Sequence, residues 1–553
     1  MESSFKGTKK TSFVQGAAIL GIAGLLVKII GAVYRIPLAN IVGKLGMSYY
    51  EVAYPYYSWL LVISSAGLPT AISKLVSERI ALGDIVGAKR VFRSAMRLLF
   101  IIGAVTTLLL FFASGGIASL SGAAPAKYSL MALSPALFFV SIMCAYRGYL
   151  QGMQCMTGTA LSQLAEQFIK LLVGFSLAAL FVKTRPDRPE LAAMGALIGV
   201  SVSELVALAV IFVYYVIRLR RGTLPVCGRQ EGTPREDALS SITRKLLLIA
   251  IPITIGASIM PVTGIADSIF IINILNGRGI AAGLSAEAAS EAAKSAYTVL
   301  RTYVTPLINM PAVLTLALSM SLVPAISQAV TRRERRIVNS ASRTGIKLAM
   351  FIGAPCAAGL FVLGGPIMAM LFRDVRTDEA TFLLSQQVMY IAAIGVLFLS
   401  LVQTLTGIIQ GIGKPRVPVY FLAVGGAVKI ISMIILMRYT RLGILGAAIS
   451  TVLCYAIAGI GDTIYVIKKT GMSLSYGDTF LKPIGASILM GVIVFLVYRI
   501  VAALGHPTVG TLLAIIVGVA VYFAAMIFTH PFSPSDLEFM PKSRLVAKIF
   551  RIK

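Results

Sequence analysis

Five cations interrupt stretches that are otherwise almost free of charge: Lys28, Arg35, Lys170, Arg301 and Lys429. Three acids do the same: Glu166, Glu204 and Asp267. Ionisable side chains inside apolar segments of membrane length are costly, and they face a bundle interior or water rather than lipid. They are therefore the first candidates for chemistry. Lys28 and Arg35 are seven residues apart, nearly two helical turns, so they share a face. Glu166 and Lys170 stand at i and i+4, close enough to pair. Asp267 either pairs with Arg301 or sits in water at a helix end. Arg147 lies near the end of its segment and reads as an interface anchor. Lys28 and Lys429 have no acid three or four residues away. The tally of five against three leaves two surplus positive charges, drawn from both halves of the chain. A wet cavity of that sign suits an anionic ligand such as a phosphate or diphosphate. The three acids read as ion-coupling or charge-balancing groups.

Other chemistries lack material. There are two histidines, His506 and His530, and five cysteines without a C-x-x-C pair. No metal site, disulfide framework, Ser-His-Asp arrangement or cofactor is expected. A run of tyrosines, Tyr49, Tyr50, Tyr54, Tyr56 and Tyr57, ends at Trp59. It reads either as an interfacial aromatic belt or as a stacking surface for sugar rings.

The elements that position these residues follow from composition. Of 553 residues, 57% are apolar and only 13% are charged, whereas soluble domains average about 45–50% and about 25%. That excess predicts an all-α polytopic membrane protein. Apolar runs recur at 13–36, 49–73, 98–120, 128–152, 158–182, 191–217, 246–274, 295–323, 346–371, 384–411, 418–437, 442–467, 483–503 and 510–529, fourteen spans in all. The first follows Lys6, Lys9 and Lys10 and reads as an uncleaved span rather than a signal peptide. Basic loops, such as Lys89 to Arg97 and Arg332 to Arg336, fall on one side if the count is even, and the opposite loops are basic-poor apart from Lys183, Arg185 and Arg188. By the positive-inside rule, that side and both termini are cytoplasmic. The net charge of +28 then needs no nucleic-acid partner.

The two halves resemble each other. Tyr149-Leu150-Gln151-Gly152-Met153 matches Ile408-Ile409-Gln410-Gly411-Ile412 at an offset of 259, which also carries Lys170 onto Lys429. Ala71-Ile72-Ser73 matches Ala325-Ile326-Ser327 at 254, and Tyr215-Val216-Ile217-Arg218 matches Tyr465-Val466-Ile467-Lys468 at 250. The expected organisation is a six-helix lobe over 1–220, a cytoplasmic linker over 221–245, and a second six-helix lobe over 246–470. Two further helices and a basic tail fill 471–553. Parallel repeats of this kind mark transporters, with the substrate between the halves.

Four segments carry a family resemblance: Gly31-Ala32-Val33-Tyr34-Arg35, Gly67-Leu68-Pro69-Thr70-Ala71-Ile72-Ser73, Arg147-Gly148-Tyr149-Leu150-Gln151-Gly152 and Gly407-Ile408-Ile409-Gln410-Gly411-Ile412-Gly413-Lys414-Pro415. The chain resembles the polysaccharide-flippase branch of the multidrug/oligosaccharidyl-lipid/polysaccharide exporter superfamily. Within it the chain is similar to the stage V sporulation protein B and YtgP group, relatives of the MurJ lipid II flippases. The resemblance implies two six-helix lobes and transport of an undecaprenyl-diphosphate-linked glycan, lipid II first among them, across a bacterial cell membrane. It implies as partners the lipid-linked glycan, membrane lipids and cell-wall synthesis proteins. In MurJ-type proteins basic residues of spans 1, 2 and 8 line the cavity. Lys28 fits the first by its Val27-Lys28-Ile29-Ile30-Gly31 context, and Arg35 lies about one residue beyond the second. Span 2 has tyrosines instead, and Arg301 lies in span 8. The resemblance leaves two alternatives: a multidrug or cation antiporter of the same superfamily, and an exporter of another wall or spore-cortex precursor. A membrane-embedded glycosyltransferase would need an acidic metal motif, and the loops carry no D-x-D.

Overall fold

The structure, a computed structural model, describes residues 3–221, 239–532 and Asp536, with the side chains of 3–22, 25, 28, 29, 32 and 239 outside the described residues. Residues 222–238 of the expected linker and most of the basic tail also lie outside them. Among the described residues there is no strand, and thirteen helical stretches are long and apolar enough to cross a membrane. The chain forms two compact units, Met1–Asn273 and Ile274–Lys553.

The first unit holds α1 (Ser3–Ser65), α2 (Leu68–Ala81), α3 (Ile85–Leu120), α4 (Lys127–Gly152), α5 (Met156–Thr184), α6 (Pro189–Arg220) and most of α7 (Leu239–Ala281). α1 is two arms, broken at Gly43. Gly43 has φ +75°, a backbone conformation that glycine reaches without a Cβ clash. Counting the arms separately gives the fourteenth helix that the sequence predicts. The second predicted span, 49–73, ends earlier, at Ser65. Gly67 and Pro69 start a new helix there, because proline suits a helix's first turn and breaks its interior. α4 is the central helix, packed by α1, α2, α3 and α6. The start of α7 joins this unit: Ile242, Leu246 and Ala250 pack among Leu68, Val91 and Tyr149, and Thr243 hydrogen-bonds Ser94 at 2.8 Å.

The second unit holds α8 (Ala286–Thr298), α9 (Thr305–Thr331), α10 (Arg335–Leu371), α11 (Arg373–Thr377), α12 (Glu379–Gly411), α13 (Arg416–Tyr439), α14 (Ile444–Thr470), α15 (Lys482–Ala503) and α16 (Pro507–Thr529). Here α12 is central, packed by α9, α10 and α14, while α15 and α16 pair and lean on α10. Residues Val299–Val304, between α8 and α9, form a turn of π-helix. Arg278 closes the end of α13 by donating to the carbonyls of Met437 and Thr440, both at 2.7 Å. A cation there satisfies otherwise orphaned carbonyls and opposes the helix dipole.

The repeat is visible inside each unit. Gly148 and Gly152 of α4 meet α2 so closely that a Cβ on Gly152 would lie 2.7 Å from Cβ of Val76. Gly407 and Gly411 of α12 meet α9 the same way, with a Cβ on Gly411 falling 2.9 Å from Cβ of Ile326. Small residues four apart let membrane helices approach closely. The loops after them share one hydrogen-bond pattern: Cys155 N donates to Leu150 O, as Lys414 N does to Ile409 O. After α2, Asp84 N donates to Arg79 O, as Glu334 N does to Ala329 O. These pairs correct the register read from the sequence. Ile326 occupies the place of Val76, an offset of 250, one helical turn from the expected match of Ile72 with Ile326. The 259 offset of α4 and α12 holds, so Lys170 and Lys429 occupy matching helices. Asp84 caps α3 through Gly87 N at 2.6 Å and pairs with Arg79 at 2.9 Å.

Candidate functional site

The first unit gathers charge on four helices. Arg35, on the first arm of α1, meets Glu51 on the second, with Nη1 3.2 Å from Oε1. Glu51 is fully buried and the Arg35 side chain is 21% exposed. The break at Gly43 turns the chain back, so that residues sixteen apart come face to face. The Arg35 guanidinium also lies 5.5 Å from the ring centre of Tyr54. Tyr54 is shared: Lys170 Nζ lies 5.9 Å from the same ring and 5.3 Å from that of Tyr34. Tyr50 stacks on Tyr54 with centroids 5.7 Å apart. Tyr49, Tyr50, Tyr56 and Tyr57 are buried and Tyr54 is half-buried, so the cluster faces inward rather than forming a belt. Only Trp59, at 37%, is exposed.

A second pair lies close by on α4 and α5. Arg147 Nη2 meets Glu166 Oε2 at 3.1 Å, its Nε donates to Ser162 Oγ at 3.1 Å, and Gln167 donates to the other Glu166 oxygen at 3.2 Å. Arg147 is thus an internal partner rather than an interface anchor, and Glu166 pairs across helices rather than with Lys170. Glu204 on α6 is 5% exposed, its Oε2 has no hydrogen-bond partner, and it feels Glu166, Arg147 and Lys170.

Counted by charge, three cations (Arg35, Arg147, Lys170) face three acids (Glu51, Glu166, Glu204). Adding Arg147 and two intramembrane acids that the tally omitted, Glu51 here and Asp462 on α14, turns the surplus of two read from the sequence into six cations against five acids, a surplus of one. Both acids could have been found by the rule that flagged Glu204, an acid inside an apolar run. The cations nevertheless differ. Arg35 and Arg147 each have a carboxylate. Lys170 has none within 4.0 Å among the described residues, and ring faces take that place. A cation–π contact is worth about 0.5–2 kcal/mol, less than the several kcal/mol that withdrawing an ion from water costs. Lys170 is half-buried, so it is left as the cation best able to take an external anion.

The remaining predicted residues are spread out. Lys28 lies on α1 with its side chain outside the described residues. Asp267, on α7 in the first unit, is 3% exposed. In the second unit Lys429 is 6% exposed on α13, and Arg301 sits half-buried in the π-helical turn. Such turns often occur at functional sites. That unit also has an apolar cavity of about 510 Å³ along α15, lined among others by Phe361, Val362, Ile394, Leu397, Ile488 and Phe495.

These helices and charges define a multi-span membrane transporter, not an enzyme. Residues 13–330 match the family described as polysaccharide biosynthesis protein, and 295–435 match MatE. The chain belongs to the polysaccharide biosynthesis protein family, in the flippase branch of the multidrug/oligosaccharidyl-lipid/polysaccharide exporter superfamily. It is 27% identical to an uncharacterized Bacillus subtilis membrane protein, YabM, over 99% of this chain and 98% of that one. It is 24% identical to the Bacillus subtilis lipid II flippase MurJ over 84% of each chain. A solved inward-closed structure of lipid II flippase MurJ shares the fold, with a TM-score of 0.69 and 17% identity over 92% of this chain and 98% of that one.

Proposed function

We propose that this transporter flips an undecaprenyl-diphosphate-linked glycan, lipid II first among the candidates, from the cytoplasmic to the outer leaflet. The observation that carries the reading is Lys170, held by two tyrosine rings beside Arg35 and without a carboxylate of its own. The phosphates would bind Lys170 and draw on Arg35, while Tyr54 offers a face to a sugar. Charge-assisted hydrogen bonds to phosphate are the strong class, and releasing them requires only competing water. Lys28, Arg301 and Lys429 would add positive charge along the path. The 510 Å³ apolar cavity by α15 suits a hydrocarbon chain, so the lipid tail need not leave an apolar medium. Glu166, Glu204 and Asp267 would balance charge or couple to an ion. The expected lobes, linker and tail at 1–220, 221–245, 246–470 and 471–553, with both termini cytoplasmic, belong to this reading. So do contacts with cell-wall synthesis proteins.

The test is complementation of a strain depleted of its lipid II flippase. Wild-type rescue that fails with Lys170→Ala and returns with Lys170→Arg supports the proposal, and full rescue by Lys170→Ala overturns the site. The balanced charge of the first unit and the MatE match favour drug antiport as a second reading. Efflux of cationic dyes without rescue of wall synthesis would select it.

A further inference from the structure

Three of the buried acids have a cation: Glu51 has Arg35, Asp84 has Arg79, and Asp536 has Lys347 at 2.8 Å. Asp462 does not. It lies within α14, is 0% exposed, and neither carboxyl oxygen has a hydrogen-bond partner. Gly459, three residues earlier on α14, faces Phe398, Leu401 and Val402 of α12. Val466, four residues later, packs with Leu401, Leu405 and Ile408. Asp462 therefore sits between them in the apolar seam of α12 and α14.

No ionisable group around that seam bonds to Asp462. α12 carries none between Phe398 and Gly411. α13, the other neighbour of α14, carries Arg416, Tyr420, Lys429, Arg438 and Tyr439, and none of them bonds to Asp462. α10 touches α14 and brings Arg343, bonded to Ser473, and Lys347, paired with Asp536. On α14 itself Lys468 and Lys469 lie almost two turns further on.

A lone carboxylate in such a place is unsustainable, because burying an unpaired charge costs far more than neutralising it. A neutral carboxylic acid has an O–H that a helix carbonyl can accept, as Gly459 O accepts from Thr463 at 2.7 Å on the same helix. We propose that Asp462 is a proton-binding site. With the α12–α14 seam dry it holds a proton, and releasing that proton requires the seam to admit water. Proton occupancy and the arrangement of the second unit are then reciprocally linked. Low pH favours the dry seam and high pH the wet one. The use of this linkage to drive transport rests on the transporter reading above. The bound proton does not.

The test uses the full chain in lipid vesicles, in sodium-free buffer and without substrate, so that its outcome is independent of the cargo. The infrared difference between wild type and Asp462→Asn at pH 7 should contain the carbonyl stretch of a protonated carboxyl, lost in the variant. Dicyclohexylcarbodiimide, which modifies protonated carboxyls in apolar surroundings, should label the wild-type peptide containing Asp462 and lose that labelling as pH rises. This second measurement needs no variant to fold. An ionised carboxylate spectrum at pH 7 together with no carbodiimide adduct on that peptide would overturn the proposal.

Discussion

Removing Arg35 and removing Glu51 should have unequal costs, and the inequality follows from their burial. Glu51 is fully enclosed, whereas the Arg35 side chain is 21% exposed and also rests on Tyr54. Arg35→Gln takes a guanidinium partner from an enclosed carboxylate, and breaking a buried pair from one side costs about 3–5 kcal/mol. It also forfeits about 0.5–2 kcal/mol of cation–π contact. Glu51→Gln leaves a guanidinium that is partly exposed and still rests on the ring, so the loss is nearer about 1–3 kcal/mol, the cost of one lost charged hydrogen-bond partner. The double variant removes both charges of the pair and should lose less than the two singles added together. Contacting pairs show coupling of about 0.5–3 kcal/mol. Reversible unfolding in mixed micelles, run as a double-mutant cycle, measures it. Additivity within about 0.5 kcal/mol would refute the claim that this pair holds the two arms of α1 together.

Other perturbations probe the repeat and the second unit. Gly152→Leu and Gly411→Leu should each lower the unfolding midpoint, by overpacking worth about 1–3 kcal/mol, because both glycines meet a branched side chain of the neighbouring helix. A midpoint changed by only one of them would break the equivalence of the halves. Asp536→Asn leaves Lys347, 5% exposed, without its carboxylate and weakens the bond from Thr344. It should speed protease cleavage after residue 530, and adding Lys347→Met should slow cleavage again.

Helix number and the doubled architecture were legible in the sequence, because they rest on hydrophobic length and short repeated strings. Element ends were less so: Gly43 and Gly67 divide a stretch whose composition is continuous. The register of one repeat match slipped by a helical turn, since Ile72 and Val76 are both apolar and only the contact with Gly148 or Gly152 separates them. Pairing was the least legible. Spacing favoured Glu166 with Lys170 at i and i+4, but Arg147, nineteen residues away on another helix, takes Glu166 instead. Helix contacts, not local periodicity, decide which acid meets which base. Glu51 was hidden by its tyrosine neighbours, and Lys170 stands out only once those neighbours are seen as rings rather than as a belt.

The most direct measurement is translocation of a fluorescent undecaprenyl-diphosphate-linked sugar by the purified chain in proteoliposomes, with wild type, Lys170→Ala and Lys170→Arg compared at matched protein. A charge-assisted bond worth about 1.5–3 kcal/mol corresponds to a roughly 10- to 150-fold weaker hold on the diphosphate. Lys170→Ala should therefore need correspondingly more lipid to reach the wild-type rate, and Lys170→Arg should recover most of it. Equal lipid dependence in all three proteins would contradict the account.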